Sequence, residues 1–169
     1  MNRVSLTSSS EVSTQAVGSV LAPLACAGDV LILSGDLGAG KTQFTKGLAD
    51  GLGVLEPVTS PTFNILLVHE GRIPLYHFDL YRLSSSEQLD DLDYWGVLEA
   101  DGIAVVEWGD RFPDAVPPEC VSLSIGIVSD DERLLHVAGV GRRGEALVHE
   151  WARACADLPG VTITAEDTL

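Results

Sequence analysis

Gly35-Asp36-Leu37-Gly38-Ala39-Gly40-Lys41-Thr42 satisfies the spacing G-x-x-x-x-G-K-[ST] at every fixed position. That spacing is suited to phosphate chemistry. Glycines permit a tight turn that aims successive backbone N–H groups and a helix N-terminus at one anion. Lys41 then lies over the β- and γ-phosphates, and the Thr42 hydroxyl is placed to hold Mg²⁺. A P-loop alone binds phosphate, so the remaining candidates are those that could complete a reaction.

Glu107 follows the apolar run Ile103-Ala104-Val105-Val106. A carboxylate at the C-terminal end of a buried strand can bind Mg²⁺, directly or through water, or polarise an attacking water. The plain alternative is a solvated acid at the rim. Asp79 shares the polar face of an alternating stretch with His77 and can orient water or the metal shell; an ion pair with Arg82 is the competing reading. His77 reads as a satisfied, partly buried histidine rather than a base. Thr59, Ser60 and Thr62 form a hydroxyl-bearing loop, either a switch that closes on the γ-phosphate or ordinary turn hydroxyls. Trp108 either gates the site, meets a partner or simply packs. Arg142 and Arg143 read as a solvated helix start, with a lid or partner contact as the other reading.

These residues need a scaffold. Asp29 to Ser34 reads as a buried strand feeding the loop, and Thr42 to Asp50 as the helix leaving it. Ahead of them, Ser8 and Glu11 have capping-box spacing, followed by Val12, Ala16, Val17, Val20, Leu21 and Leu24 at helical intervals, predicting an opening amphipathic helix of about four turns. Pro57 and Pro61 exclude helix between them. Phe63 to His69 and Ile73 to Arg82 read as a hairpin about Glu70-Gly71-Arg72. Short helical turns follow from Ser84 to Leu92 and from Tyr94 to Ala100, then the Ile103 strand. Val121 to Val128 and Arg133 to Val140 read as a second hairpin, and Arg142 to Ala156 as a closing helix. The expected fold is α/β, a P-loop NTPase with a mixed parallel and antiparallel central sheet flanked by helices. Residues 1–160 are expected to form a single P-loop ATPase domain, with 161–169 as a flexible C-terminal tail.

Composition narrows the partners. The 169 residues carry a net charge of -15 at pH 7, which repels nucleic-acid phosphates over most of the surface. The P-loop supplies its own local positive potential, so ATP binding remains compatible with this charge. Cys26, Cys120 and Cys155 are odd in number and lack a CxxC pair, which argues against a disulfide framework or zinc site and for small buried apolar residues. No leader pattern and no run of about 18 apolar residues occurs. A soluble cytoplasmic protein with no membrane contact is expected.

The chain resembles the TsaE (YjeE) family of small P-loop ATPases. The resemblance rests on the P-loop, then Thr59-Ser60-Pro61-Thr62-Phe63, His77-Phe78-Asp79-Leu80-Tyr81-Arg82 and Glu107-Trp108, in that order, and covers roughly residues 8–140. It implies a Mg²⁺-dependent ATPase that acts with TsaB and TsaD in forming N6-threonylcarbamoyladenosine on tRNAs reading codons that begin with A. The threonylcarbamoyl transfer itself is not implied, and tRNA is met only through the complex. Matching positions imply Asp36, Leu37, Gly38, Ala39, Gly40, Lys41 and Thr42 for the phosphates of ATP or ADP, and Thr42 and Glu107 for Mg²⁺. They also imply Lys41, Asp79 and Glu107 for hydrolysis, with Thr59, Ser60 and Thr62 as the switch. The base is expected between Glu11 and the late hairpin near Glu132 and Arg133. Two further readings stay open: a nucleotide-gated binding module with little hydrolysis, and a small-molecule P-loop kinase, which the scarcity of late arginines disfavours.

Overall fold

The computed structural model describes residues 2–167. The chain opens with a strand, Arg3–Ser8 (β1), whose Val4, Leu6 and Ser8 alternate inward. Helix α1, Glu11–Ser19, starts only after it, and its capping box is Ser10 with Ser13 rather than Ser8 with Glu11. Ser8 is instead buried, its hydroxyl 2.7 Å from that of Thr14. Beyond Ser19, Val20 and Leu21 form a turn and Leu24 closes a separate piece of 3-10 helix, Ala22–Leu24, so the opening helix is shorter than its periodicity predicts. Then come Val30–Ser34 (β2), Lys41–Gly51 (α2), Leu66–His69 (β3), Leu75–Asp79 (β4), a 3-10 stretch at Ser86–Leu92, Tyr94–Leu98 (α3) and Ile103–Glu107 (β5). Short 3-10 turns at Gly109–Arg111 and Pro113–Ala115 lead to Cys120–Ile127 (β6), Arg133–Val140 (β7), Gly141–Cys155 (α4) and Val161–Asp167 (β8).

Among the described residues, eight strands form one sheet in the order β3-β4-β5-β2-β6-β7-β1-β8. β4, β5, β2 and β6 run parallel; the other pairings are antiparallel. This is the mixed sheet expected. Its central strands are apolar on both faces, so each face needs a cover. Leu31, Leu33, Ile103 and Val105 join the core beneath α1, α2 and α4, while Val30, Ile32, Ala104 and Val106 pack with Phe78, Leu80, Tyr94 and Leu98 on the opposite side.

Two boundaries moved. β3 begins at Leu66, because Ile65 has φ 66° and its N–H turns back to the Pro61 carbonyl at 2.7 Å. The segment expected to be a loose tail, 161–167, pairs along β1 as an edge strand, with Val161 buried; residues 168 and 169 lie outside the described residues. Arg143 is not a free solvated charge: its Nε and Nη2 donate to Asp29 at 2.8 and 2.6 Å, and Nη2 also reaches the Leu24 carbonyl. Of the cysteines, Cys120 and Cys155 are buried as expected and Cys26 is exposed.

Helices α1 and α2 cross in near backbone contact. A Cβ on Gly47 would run into the Gln15 carbonyl, so only glycine fits at that crossing. The close approach brings the first turn of α1 to the mouth of the P-loop. In α4, the Trp151 indole N–H donates 2.9 Å to the Val17 carbonyl and so locks that helix to α1.

Candidate functional site

Parallel pairing sets the site's geometry. β2, β4 and β5 end side by side, with Glu107 in register with Leu33 on one side and Asp79 on the other. The crevice beyond the carboxyl ends of such strands is where open α/β sheets bind ligands. An open cavity of about 380 Å³ lies there, lined by Leu37, Gly38, Gly40, Lys41, Thr42, Ser60, Thr62, Asp79, Glu107 and Trp108, among others.

The P-loop turns from β2 into α2 through Gly40, whose φ of 110° is open to glycine and strained for other residues. The Ala39 N–H closes the turn on the Asp36 carbonyl at 3.0 Å. Lys41 Nζ donates to the carbonyls of Gly35 and Asp36 at 2.6 and 3.0 Å and stands 4.6 Å from the centroid of the Trp108 ring. Burial pushes its ammonium pKa down, against the opposing pull of Glu107, Asp79, Asp36 and Asp110. Trp108 itself sits at φ 61°, a strained conformation for a bulky residue, and its ring meets that of Tyr81 at 5.2 Å.

Both carboxylates are buried, Glu107 and Asp79 each being 3% exposed. Glu107 Oε1 lies 2.8 Å from His77 Nε2. Asp79 takes no bond from Arg82, which stacks over Phe63 at 4.2 Å. Asp79 Oδ2 accepts from Thr62 at 2.8 Å and from Ser60 at 3.3 Å, and Oδ1 accepts the Tyr81 N–H at 2.9 Å. The 60–62 hydroxyls are therefore tied to a strand-end carboxylate beside the P-loop. Thr59 is not brought with them; it lines a different groove with Lys46 and the 54–58 segment.

Of the residues expected to flank the base, the cavity wall includes some and not others. Glu11 lines the cavity, but on the hairpin side the wall is Asp130, Asp131 and Arg133 rather than Glu132, which is half-buried outside it. Glu132 contributes its carbonyl to the turn, receiving Arg133 Nη1 at 3.0 Å. Arg133 is the stronger feature: Nε donates 2.8 Å to the Ala39 carbonyl and Nη2 3.4 Å to that of Gly38, so the β6–β7 hairpin grips the P-loop from outside. Gln43, next to Thr42 in α2, and Thr14 also line the cavity; no local pattern in the sequence marks Thr14, since α1 reaches the loop through the Gly47 crossing.

The donor set fits a hard cation. Thr42, Glu107 and Asp79 bring hydroxyl and carboxylate oxygens to one cavity. Among the described residues no group of three or more His, Cys, Asp or Glu could hold an ion unaided. Mg²⁺ bound through one or two protein oxygens plus phosphates and water has this requirement.

Residues 8–135 match the profile of the threonylcarbamoyl adenosine biosynthesis protein TsaE family. The tRNA threonylcarbamoyladenosine biosynthesis protein TsaE of Treponema pallidum is 44% identical over 121 residues, 72% of this chain and 90% of that protein. Its counterpart in Bacillus subtilis is 42% identical over 141 residues, 83% of this chain and 88% of the relative. The crystal structure of Bacillus subtilis YdiB superposes with a TM-score of 0.77 at 37% identity, covering 90% of this chain and 97% of that one. With the P-loop, the two strand-end carboxylates and the mixed sheet in place, the chain belongs to the TsaE family.

Proposed function

We propose that the protein is a Mg²⁺-dependent ATPase that works with TsaB and TsaD in forming N6-threonylcarbamoyladenosine on tRNA, in the cytoplasm. The observation that carries the reading is the meeting of Lys41, Thr42, Glu107 and the Ser60–Thr62–Asp79 cluster in one cavity. The names of the relatives, all tRNA threonylcarbamoyladenosine biosynthesis proteins, support the pathway.

ATP phosphates lie over the Gly38–Thr42 turn, where backbone N–H groups and the N-terminus of α2 supply positive potential. Lys41 exchanges the Gly35 and Asp36 carbonyls for β- and γ-phosphate oxygens. Thr42 and Glu107 would hold Mg²⁺, which when bound offsets charge on those oxygens. Asp79 orients the attacking water for in-line displacement, and Ser60 and Thr62 bring the loop against the γ-phosphate. Such catalysis is positioning plus electrostatic stabilisation. The base lies between Glu11 and the β6–β7 hairpin. A net charge of -15 favours a protein partner over direct grip of tRNA.

One observation favours the nucleotide-gated module as a second reading. Two loop carbonyls and the Trp108 ring compete with nucleotide for Lys41, so the contacts of Trp108 change with occupancy. A kinase reading is disfavoured, because Arg133 is the only arginine lining the cavity among the described residues and its guanidinium is committed to backbone carbonyls.

Phosphate release from MgATP, measured for wild type and Lys41→Ala with and without the TsaB–TsaD pair, tests the proposal. The pair is expected to raise the wild-type rate several-fold and Lys41→Ala to abolish it. If ATP binds but no mixture hydrolyses it, the roles of Glu107 and Asp79 in hydrolysis fall and the gated-module reading stands.

A further inference from the structure

Behind the cavity, two histidines lie buried on one face of the β3–β4 hairpin. His77 has no exposed surface and His69 is 4% exposed. The register pairs Leu67 with His77 and His69 with Leu75, which makes the imidazoles diagonal neighbours. Their ring centroids are 6.4 Å apart. Each ring is held through one nitrogen by a carboxylate: His77 Nε2 by Glu107 Oε1 at 2.8 Å, and His69 Nδ1 by Glu56 Oε1 at 2.7 Å. The other nitrogen of each, His77 Nδ1 and His69 Nε2, is buried with no hydrogen-bond partner among the described residues.

A carboxylate only accepts, so each ring must carry its proton on the nitrogen that faces the carboxylate. In neutral rings the remaining nitrogens, His77 Nδ1 and His69 Nε2, are then both acceptors, each buried without a donor among the described residues. Two carboxylate-held imidazoles thus lie ring against ring at 6.4 Å, one on Glu107 at the cavity and the other on Glu56, on the segment that leads into the 59–62 loop. A carboxylate beside a phosphate and metal site works only when its oxygens are fixed, and an imidazole N–H on one oxygen leaves the other to the cavity.

We propose that His77 is a positioning residue for Glu107 and that His69, anchored by Glu56, is the outer member that orients His77. The role depends on the ATPase reading for its kinetic expression, and on the hydrogen bonds alone for its structural one. His77 acts through Glu107 and meets no substrate itself. His77→Gln keeps an N–H where Nε2–H stands; His77→Leu keeps bulk and removes the donor.

Steady-state ATP turnover is compared across these variants in the presence of the TsaB–TsaD pair. His77→Leu is expected to lower kcat about 10- to 100-fold with KM for ATP within about 3-fold, and His77→Gln to recover most of the loss. His69→Leu lowers kcat by a smaller factor, and its effect disappears in the His77→Leu background, as a residue acting through His77 requires. Equal losses in the Leu and Gln variants, or losses matched by the fraction of unfolded protein, overturn the proposal. Independent additive effects of the two histidines overturn the role of His69. Imidazole ¹⁵N spectra of the intact protein separate this from the function: His77 should be the Nε2–H tautomer, changing its signals in Glu107→Gln and in His69→Leu. If wild type never hydrolyses ATP but the spectra behave so, the ATPase reading fails and the positioning stands; a His77 protonated at Nδ1 sinks the positioning whatever the kinetics.

Discussion

At the scale of single residues, Asp79 ties down the 60–62 loop. Its carboxylate accepts the Thr62 hydroxyl at 2.8 Å, close to the length of a good O–H···O bond. A hydrogen bond to a charged acceptor contributes about 1.5–3 kcal/mol. Thr62→Val keeps the shape and deletes the donor, so ATP turnover should fall about 10-fold while the dissociation constant for ADP changes little; calorimetric titration alongside a phosphate-release assay checks both. A large loss of ADP affinity would instead assign Thr62 to ground-state binding. Much of this was legible beforehand. The P-loop, Glu107 and Asp79 are marked by local chemistry and strand position, and they meet in one cavity. Arg82 was open to pairing with Asp79, but the side chain stacks on Phe63, a contact set by the turn at 61–65 that no local pattern encodes. The unpartnered nitrogens of His77 and His69 were likewise invisible, because burial on both sides is a property of the assembled sheet.

At the scale of elements, the crossing of α1 and α2 positions the mouth of the site. Alanine in a helix interior is favoured over glycine by about 1 kcal/mol, so an exposed Gly→Ala change in α2 would stabilise. At Gly47 the added methyl meets the Gln15 carbonyl, which is backbone and cannot rotate away. Overpacking of this kind costs about 1–3 kcal/mol and outweighs the propensity gain. Gly47→Ala should therefore shift the urea midpoint downward, and a rise would show that the helices slide apart at little cost. The elements most legible from sequence were those with strong local patterns, such as β5, the two hairpins and α4. β1 was hidden because its short alternation competes with a capping spacing at Ser8 and Glu11, while the real cap lies at Ser10. β8 was hidden for a different reason: its partner strand is at the other end of the chain.

At the scale of the whole molecule, joining the two ends of the chain stabilises the outer half of the sheet. β8 covers the edge of β1, and Val161 and Ile163 add apolar contacts to the main core. Two such side chains, partly or fully buried, contribute a few kcal/mol at about 25 cal/mol per Å². Removing residues 161–169 should lower Tm by roughly 5–10 °C, read by scanning calorimetry, while turnover per folded molecule at low temperature is retained, since β8 and the P-loop strand lie four places apart in the sheet. Unchanged Tm would make the last strand ornamental. The cysteines divide along the same lines: burial pushes the Cys155 thiol up to about 12 and raises that of Cys120, whereas Cys26 is exposed. Cys26 also precedes β2 at the end opposite the phosphate turn, about 15 Å away along the strand. The native chain thus carries one ready attachment point for a maleimide dye, from which tumbling and partner encounters can be followed without engineering a cysteine and without crowding the nucleotide.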